Sequence, residues 1–165
     1  MIRRLATLAL LAVGEGDAEL LLLKHLKQLY LPRGCGTTLK VQGGLGKGGK
    51  GVLDYALRAS AGFAYDRRIV LLDTDTDWND EQRRRAKSEE IVVVESDPCL
   101  EAWLLTIHGF ASGSQTSNCK QEFSRRFGGP AHDPTIYERH FPKELLDSRR
   151  AVVLPLGELL VSLGV

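Results

Sequence analysis

Leu5-Ala6-Thr7-Leu8-Ala9-Leu10-Leu11-Ala12-Val13, followed at once by Gly14-Glu15-Gly16-Asp17, is the stretch on which the fold turns. Ile2-Arg3-Arg4 before it and Ala12-Val13-Gly14 at its end give it the outline of a secretory signal. A strand buried on both faces also reads as a continuous apolar run. The strand reading is preferred, because the acidic, glycine-flanked segment after the run suits a strand-to-helix turn. The chain starts at Met1, and the run is expected to stay in place. It is too short to span a bilayer, so no membrane is implicated.

Working outward, strand and helix alternate. Asp17 to Tyr30 reads as a helix with Asp17 as N-cap and leucines on one broad face. Pro32 to Gly36 is a loop, and Thr37 to Gln42 a short strand. After the glycine-rich Gly43 to Gly51, a helix is expected over Val52 to Ala61, closed by Gly62. Arg67 to Leu72 is an apolar strand ending at Asp73. Asp80 to Lys87 is a charged surface helix, and Ile91 to Glu95 another buried strand. Asp97 to His108 reads as a helix with Asp97 as N-cap and Pro98 in its first position. Four such repeats predict an α/β fold: a Rossmann-like, mostly parallel four-stranded sheet flanked by helices. Residues 1–110 form the expected core. Residues 111–165 form a loop and a helical extension packed on the same domain. Gly109 to Asn118 reads as a mobile loop, 119–147 as helix in pieces, and Ala151 to Leu163 as a strand or short helix.

Bulk properties narrow the function. The 165 residues suffice for one self-sufficient core, and a net charge of +1 does not advertise nucleic acid by itself. Any such binding must come from local patches or a bridging metal. Cys35, Cys99 and Cys119 are odd in number and include no C-x-x-C pair, which argues against a disulfide framework and a thiolate zinc site. A reducing cytosol, hence a cytoplasmic protein, is expected. The four histidines show no metalloprotease spacing, and no nucleophile elbow occurs.

The chemistry concentrates in Leu71-Leu72-Asp73-Thr74-Asp75-Thr76-Asp77. In extended backbone, Asp73, Asp75 and Asp77 would point to one side. Carboxylates so placed repel one another, and Mg2+, a hard cation that prefers oxygen, would supply the counter-charge. Asp73 and Glu15 both follow strands, where open parallel sheets bind ligands. A glutamate on a tight glycine turn can serve as general acid or base. The plainer readings stay open: an acidic turn that caps the next helix, and a loop charge favoured by the first helix dipole.

Gly44 to Gly51 nearly fits the phosphate-binding pattern G-x-x-x-x-G-K-[ST], but Gly51 replaces the hydroxyl residue. It reads better as a basic loop whose amides, Lys47 and Lys50 contact substrate phosphates, or as a loop with incidental lysines. Arg83-Arg84-Arg85 and Arg125-Arg126 read first as solvated helix faces; with Lys47 and Lys50 they could rim a nucleic-acid site only if folding gathers them near the aspartates. Trp103 reads as core.

A strand ending in Gly14-Glu15-Gly16 and a later strand ending in Asp73-x-Asp75-x-Asp77 resemble the Toprim domain of topoisomerases, primases and OLD-family nucleases. Gly14-Glu15-Gly16-Asp17-Ala18-Glu19 resembles the opening of RloB-like small Toprim families. Ser96-Asp97-Pro98-Cys99-Leu100-Glu101-Ala102-Trp103-Leu104-Leu105 resembles their S-x-P-C-F-E-x-W-L-L block, with Leu100 at an aromatic position. The resemblance covers roughly residues 5–108. It implies a Mg2+-dependent nuclease, with Mn2+ able to substitute. Glu15 would be general acid or base and metal ligand. Asp73 and Asp75 would be catalytic metal ligands, with Asp77 in the third position. Glu19 and Glu101 would be further acidic ligands, Glu101 for a second metal. The implied partners are nucleic acid and, by analogy with OLD nucleases, an ATPase protein in defence against foreign nucleic acid; a homodimer is also open. A partner-dependent accessory subunit and a small-molecule phosphate-binding or phosphatase-like domain are the alternatives.

Overall fold

The structure, a computed structural model, describes residues 7–43 and 46–165. Four strands, β1 (Leu8–Gly14), β2 (Thr37–Gly43), β3 (Arg67–Asp73) and β4 (Ile91–Ser96), form one sheet in the order β2-β1-β3-β4. All three pairings are parallel. The sheet is α/β and Rossmann-like, as its alternating pattern implies. The predicted strand began at Leu5; Leu5, Ala6 and the basic Ile2-Arg3-Arg4 lie outside the described residues.

The continuous apolar run has a simple cause, since β1 is buried on both faces. Leu10 and Ala12 join Ile69, Leu71 and Val94 on one side. Leu11 and Val13 join Val70 and Leu72 on the other. The first face is covered by α1 (Asp17–Tyr30), α4 (Leu100–Ile107) and the C-terminal helices α5 (Thr116–Phe127), α6 (Pro134–His140), α7 (Lys143–Arg149) and α8 (Leu154–Ser162). The second is covered by α2 (Gly48–Ser60) and α3 (Asp80–Ser88). Phe123, Phe127, Tyr137 and Phe141 pack against one another, mostly at tilted angles, between the C-terminal helices and the sheet. Trp103 is core, 5% exposed, with its indole N–H donated to Ser96 Oγ at 2.8 Å. Among the described residues, no helix is long and apolar enough to cross a membrane.

The N-cap of α1 is Gly16 rather than Asp17, and several helix starts also differ from expectation. Helix α2 starts at Gly48 rather than Val52, so these glycines are part of the helix. A Cβ on Gly49 would stand 2.9 Å from Trp78 Cε3, and one on Gly48 would stand 2.6 Å from Asp77 Oδ1. The glycines therefore let α2 begin directly against the segment after β3. Helix α4 starts at Leu100, with Cys99 as N-cap; the Asp97–Pro98 bond is cis, and Asp97 instead accepts a hydrogen bond from Thr74 Oγ1 at 2.8 Å. Thr116 to Asn118, read as loop, open α5, and the C-terminal segment is helix, with Pro155 in the first turn where its missing N–H costs nothing.

Candidate carboxylate site

Strands β1 and β3 are neighbours, yet the chain leaves β1 toward β2 on one side and continues from β3 to β4 on the other. That makes the gap beyond their carboxyl ends the switch point of the sheet, where such folds bind ligands. Glu15 follows β1 and Asp73 ends β3. The Glu15 backbone N–H donates to Leu71 O at 3.0 Å, and its carboxylate accepts the Asp73 N–H at 2.8 Å. Gly14 lets the first turn of α1 lie close against the end of β1: a Cβ there would lie 2.8 Å from both Glu19 Cβ and Leu20 N.

Two helices add their first turns. Glu19 of α1 turns back to accept the Gly16 N–H at 3.0 Å, the one half of a capping box that a glycine N-cap allows. Asp73 Oδ1 accepts the Leu100 N–H at 2.9 Å, so a strand-end carboxylate supplies the cap that α4 lacks from its own sequence. This brings Glu101 to the same place. Glu15, Glu19, Asp73 and Glu101 line one cavity of about 280 Å3, together with Lys120 and His132. Glu15, Glu19 and Glu101 are only 8%, 6% and 4% exposed.

Their electrostatics follow from that crowding. Burial, reinforced by Glu19, Glu15 and Glu101, pushes the Asp73 carboxyl up to about 9. Burial also raises Glu15, helped by Asp75 and Asp77 and opposed by the Asp73 amide. Glu19 is raised by burial and by Glu15 and Glu101. Lys120 Nζ lies 3.0 Å from Glu101 Oε1, while Glu101 Oε2 is buried with no hydrogen-bond partner among the described residues.

The other predicted residues fall elsewhere. The aspartate triplet does not share a face, because β3 stops at Asp73 and a turn follows. Asp75 accepts a hydrogen bond from Thr116 Oγ1 at the start of α5. Asp77 Oδ1 accepts the Lys50 N–H at 3.2 Å, and Thr76 Oγ1 accepts the Gly49 N–H at 3.3 Å. The turn thus caps α2 and occupies amides that a phosphate would need. Lys47 and Lys50 are exposed and do not line the cavity; the glycine-rich segment reaches it through Gly46, whose N–H donates to Glu15 O at 3.1 Å. Gly44 and Leu45 of that segment lie outside the described residues. The arginine runs are not gathered at the cavity: Arg83 pairs with Asp80 and Glu95, Arg85 with Asp54, and Arg125 and Arg126 with Glu122. Asp17, read only as a helix cap, also lines the cavity, and Lys120 and His132 are residues that sequence reading missed altogether. Both lie in the C-terminal third, and Lys120 is one lysine on an ordinary amphipathic helix, so nothing local marks it.

Among the described residues, no three carboxylate, imidazole or thiol groups are already grouped as ligands of one ion. The donor set nevertheless fits a hard cation: it is all oxygen, crowded with negative charge, and includes the orphaned Glu101 Oε2. The fit requires the cation to replace the N–H and ammonium contacts that hold these carboxylates. A wider groove of about 640 Å3 along α1 and α6, lined by Leu21, His25 and Tyr137, contains none of the predicted residues. No family model matches the chain, and neither a curated protein nor a solved structure matches it.

Proposed function

We propose that this chain is a Mg2+-dependent nuclease of the Toprim type, with Mn2+ able to substitute. The observation that carries the reading is the convergence of Glu15, Glu19, Asp73 and Glu101 on one cavity at the β1/β3 switch point. The likeness of the Glu15, Asp73 and Ser96–Leu105 segments to Toprim blocks adds to it. Asp73, Glu19 and Glu101 would hold the cation, with Glu15 as a further ligand or as the group that handles a proton. Bound there, the ion would stabilise negative charge on a phosphodiester and its leaving oxygen. Glu15 suits proton transfer because burial raises its pKa above the ordinary carboxylate value. Lys120 and His132 stand beside the carboxylates, where the substrate phosphate would arrive. Three free thiols accord with a reducing compartment.

The test is cleavage of supercoiled DNA, single-stranded DNA and structured RNA with Mg2+ or Mn2+, by wild type beside Asp73→Ala and Glu15→Ala. Cleavage by wild type that both variants lose is the expected result. One observation favours a second reading, a subunit that cuts only with a partner such as an ATPase. Arg83, Arg85, Arg125 and Arg126 are spent in ion pairs away from the cavity. A polyanion would then be tracked in part by basic groups supplied from outside the chain. No cleavage from a folded wild type would favour it.

A further inference from the structure

We propose that Lys120 is the resident counter-ion of the carboxylate cavity, and that a divalent cation binds there by displacing its ammonium. The inference rests on the cation site proposed above and assigns the residue that sets its affinity.

Among the described residues, five acidic residues line the cavity, Glu15, Asp17, Glu19, Asp73 and Glu101, and its one ammonium is that of Lys120. Its Nζ reaches Glu101 Oε1 at 3.0 Å. Among the described residues, the second oxygen of the same carboxylate is buried and has no hydrogen-bond partner. An unpaired buried carboxylate oxygen is expensive. One ammonium on a flexible stem satisfies a single oxygen here. A divalent ion offers twice the charge and several coordination positions, so it can take the oxygens that Lys120 leaves bare.

The packing makes the exchange feasible. Helix α4 presents Glu101 and α5 presents Lys120, and the two helices are locked together by Cys99, Ala102 and Cys119, all buried. The helix backbones therefore need not move. The Lys120 side chain is 52% exposed, against 6% for Glu101, so its stem can swing into solvent while the carboxylate stays. Until it does, its positive charge opposes an incoming cation. By reciprocity, any anion that draws the ammonium away from Glu101 would tighten cation binding.

Calorimetric titration of the full chain with Mn2+ tests this, using wild type, Lys120→Met and Lys120→Arg. Lys120→Met is expected to bind Mn2+ about tenfold more tightly than wild type, the effect of removing one nearby like charge. Lys120→Arg keeps the charge and is expected to stay within about twofold of wild type. Mn2+ binding by Lys120→Met alone would also support the exchange. If wild type binds Mn2+ and Lys120→Met binds equally or more weakly, Lys120 is not the displaced counter-ion, and the cation site stands without it. If neither binds while thermal melts show both folded, the inference and the cation site fail together. Because Lys120→Met leaves Glu101 unpaired, its melting temperature is read with and without Mn2+; a larger Mn2+-induced rise than in wild type is the matching result, and an equal or smaller rise contradicts it.

Discussion

The Glu15 carboxylate accepts the backbone N–H of Asp73 at 2.8 Å, joining the ends of two adjacent strands across 58 residues of sequence. This bond fixes one acid against the backbone that carries the other. It also concentrates negative charge where the sheet offers a ligand site. Several measurable consequences follow from that concentration and from the contacts around it.

Asp73 should make the metal-free protein lose stability as pH rises. Its carboxyl is pushed from an ordinary 3.8 up to about 9, first by burial and then by Glu19, Glu15 and Glu101. Between those values the native state keeps a proton that the unfolded chain releases. The stabilisation is therefore full below about pH 4 and fades as pH rises through about 9. Asp73→Asn can still accept the Leu100 N–H, and it removes the charge. Thermal melts without divalent ions should show the variant gaining on wild type from pH 5 to pH 9. A constant difference across that range would contradict the crowding.

Asp77 should matter for stability and not for cation binding. It caps the first turn of α2 through the Lys50 N–H. Asp77→Ala is expected to cost about 1 kcal/mol in urea unfolding, the usual worth of a cap. Its Mn2+ affinity should remain close to that of wild type, whereas Asp73→Ala should abolish it.

Gly14→Ala should damage both. The added Cβ would stand 2.8 Å from Leu20 N, a backbone atom that cannot swing aside. Urea unfolding should show a loss of about 1–3 kcal/mol. Since the strain separates β1 from α1, which carry Glu15 and Glu19, Mn2+ affinity should fall as well.

His108 supplies an opposite pH signature. It sits among Phe110, Phe127 and Phe141 with its Nε2 bonded to His140 O at 2.7 Å, and burial lowers its pKa below 6.5. The unfolded chain thus takes up a proton before the native state does. This contribution is present above about pH 6.5 and is lost as pH falls through the lower native value. Melts of wild type and His108→Gln should converge as pH falls from 7 to 5.

The sheet was legible because β1 and β3 are buried on both faces and carry unbroken apolar runs, from Leu8 to Val13 and from Ile69 to Leu72. Glu15 and Asp73 were legible because each sits at the end of such a run. Asp75 and Asp77 were misplaced because spacing by two implies one face only while the chain stays extended, and β3 ends at Asp73. The glycines at 48 and 49 read as part of a basic loop, although they open α2 and are small for the sake of Asp77 and Trp78. Lys120 and His132 reach the cavity through tertiary packing of the C-terminal helices, which leaves no local pattern to read.

The most direct test is anomalous diffraction from crystals soaked in Mn2+. The expected result is a peak inside the cavity, within bonding distance of Asp73 and at least one of Glu15, Glu19 and Glu101, with the Lys120 ammonium turned away from Glu101. A fully soaked crystal with no peak there, or with Mn2+ bound only at other acidic groups such as Asp80 or Glu122, would contradict the assignment of this cavity as the cation site.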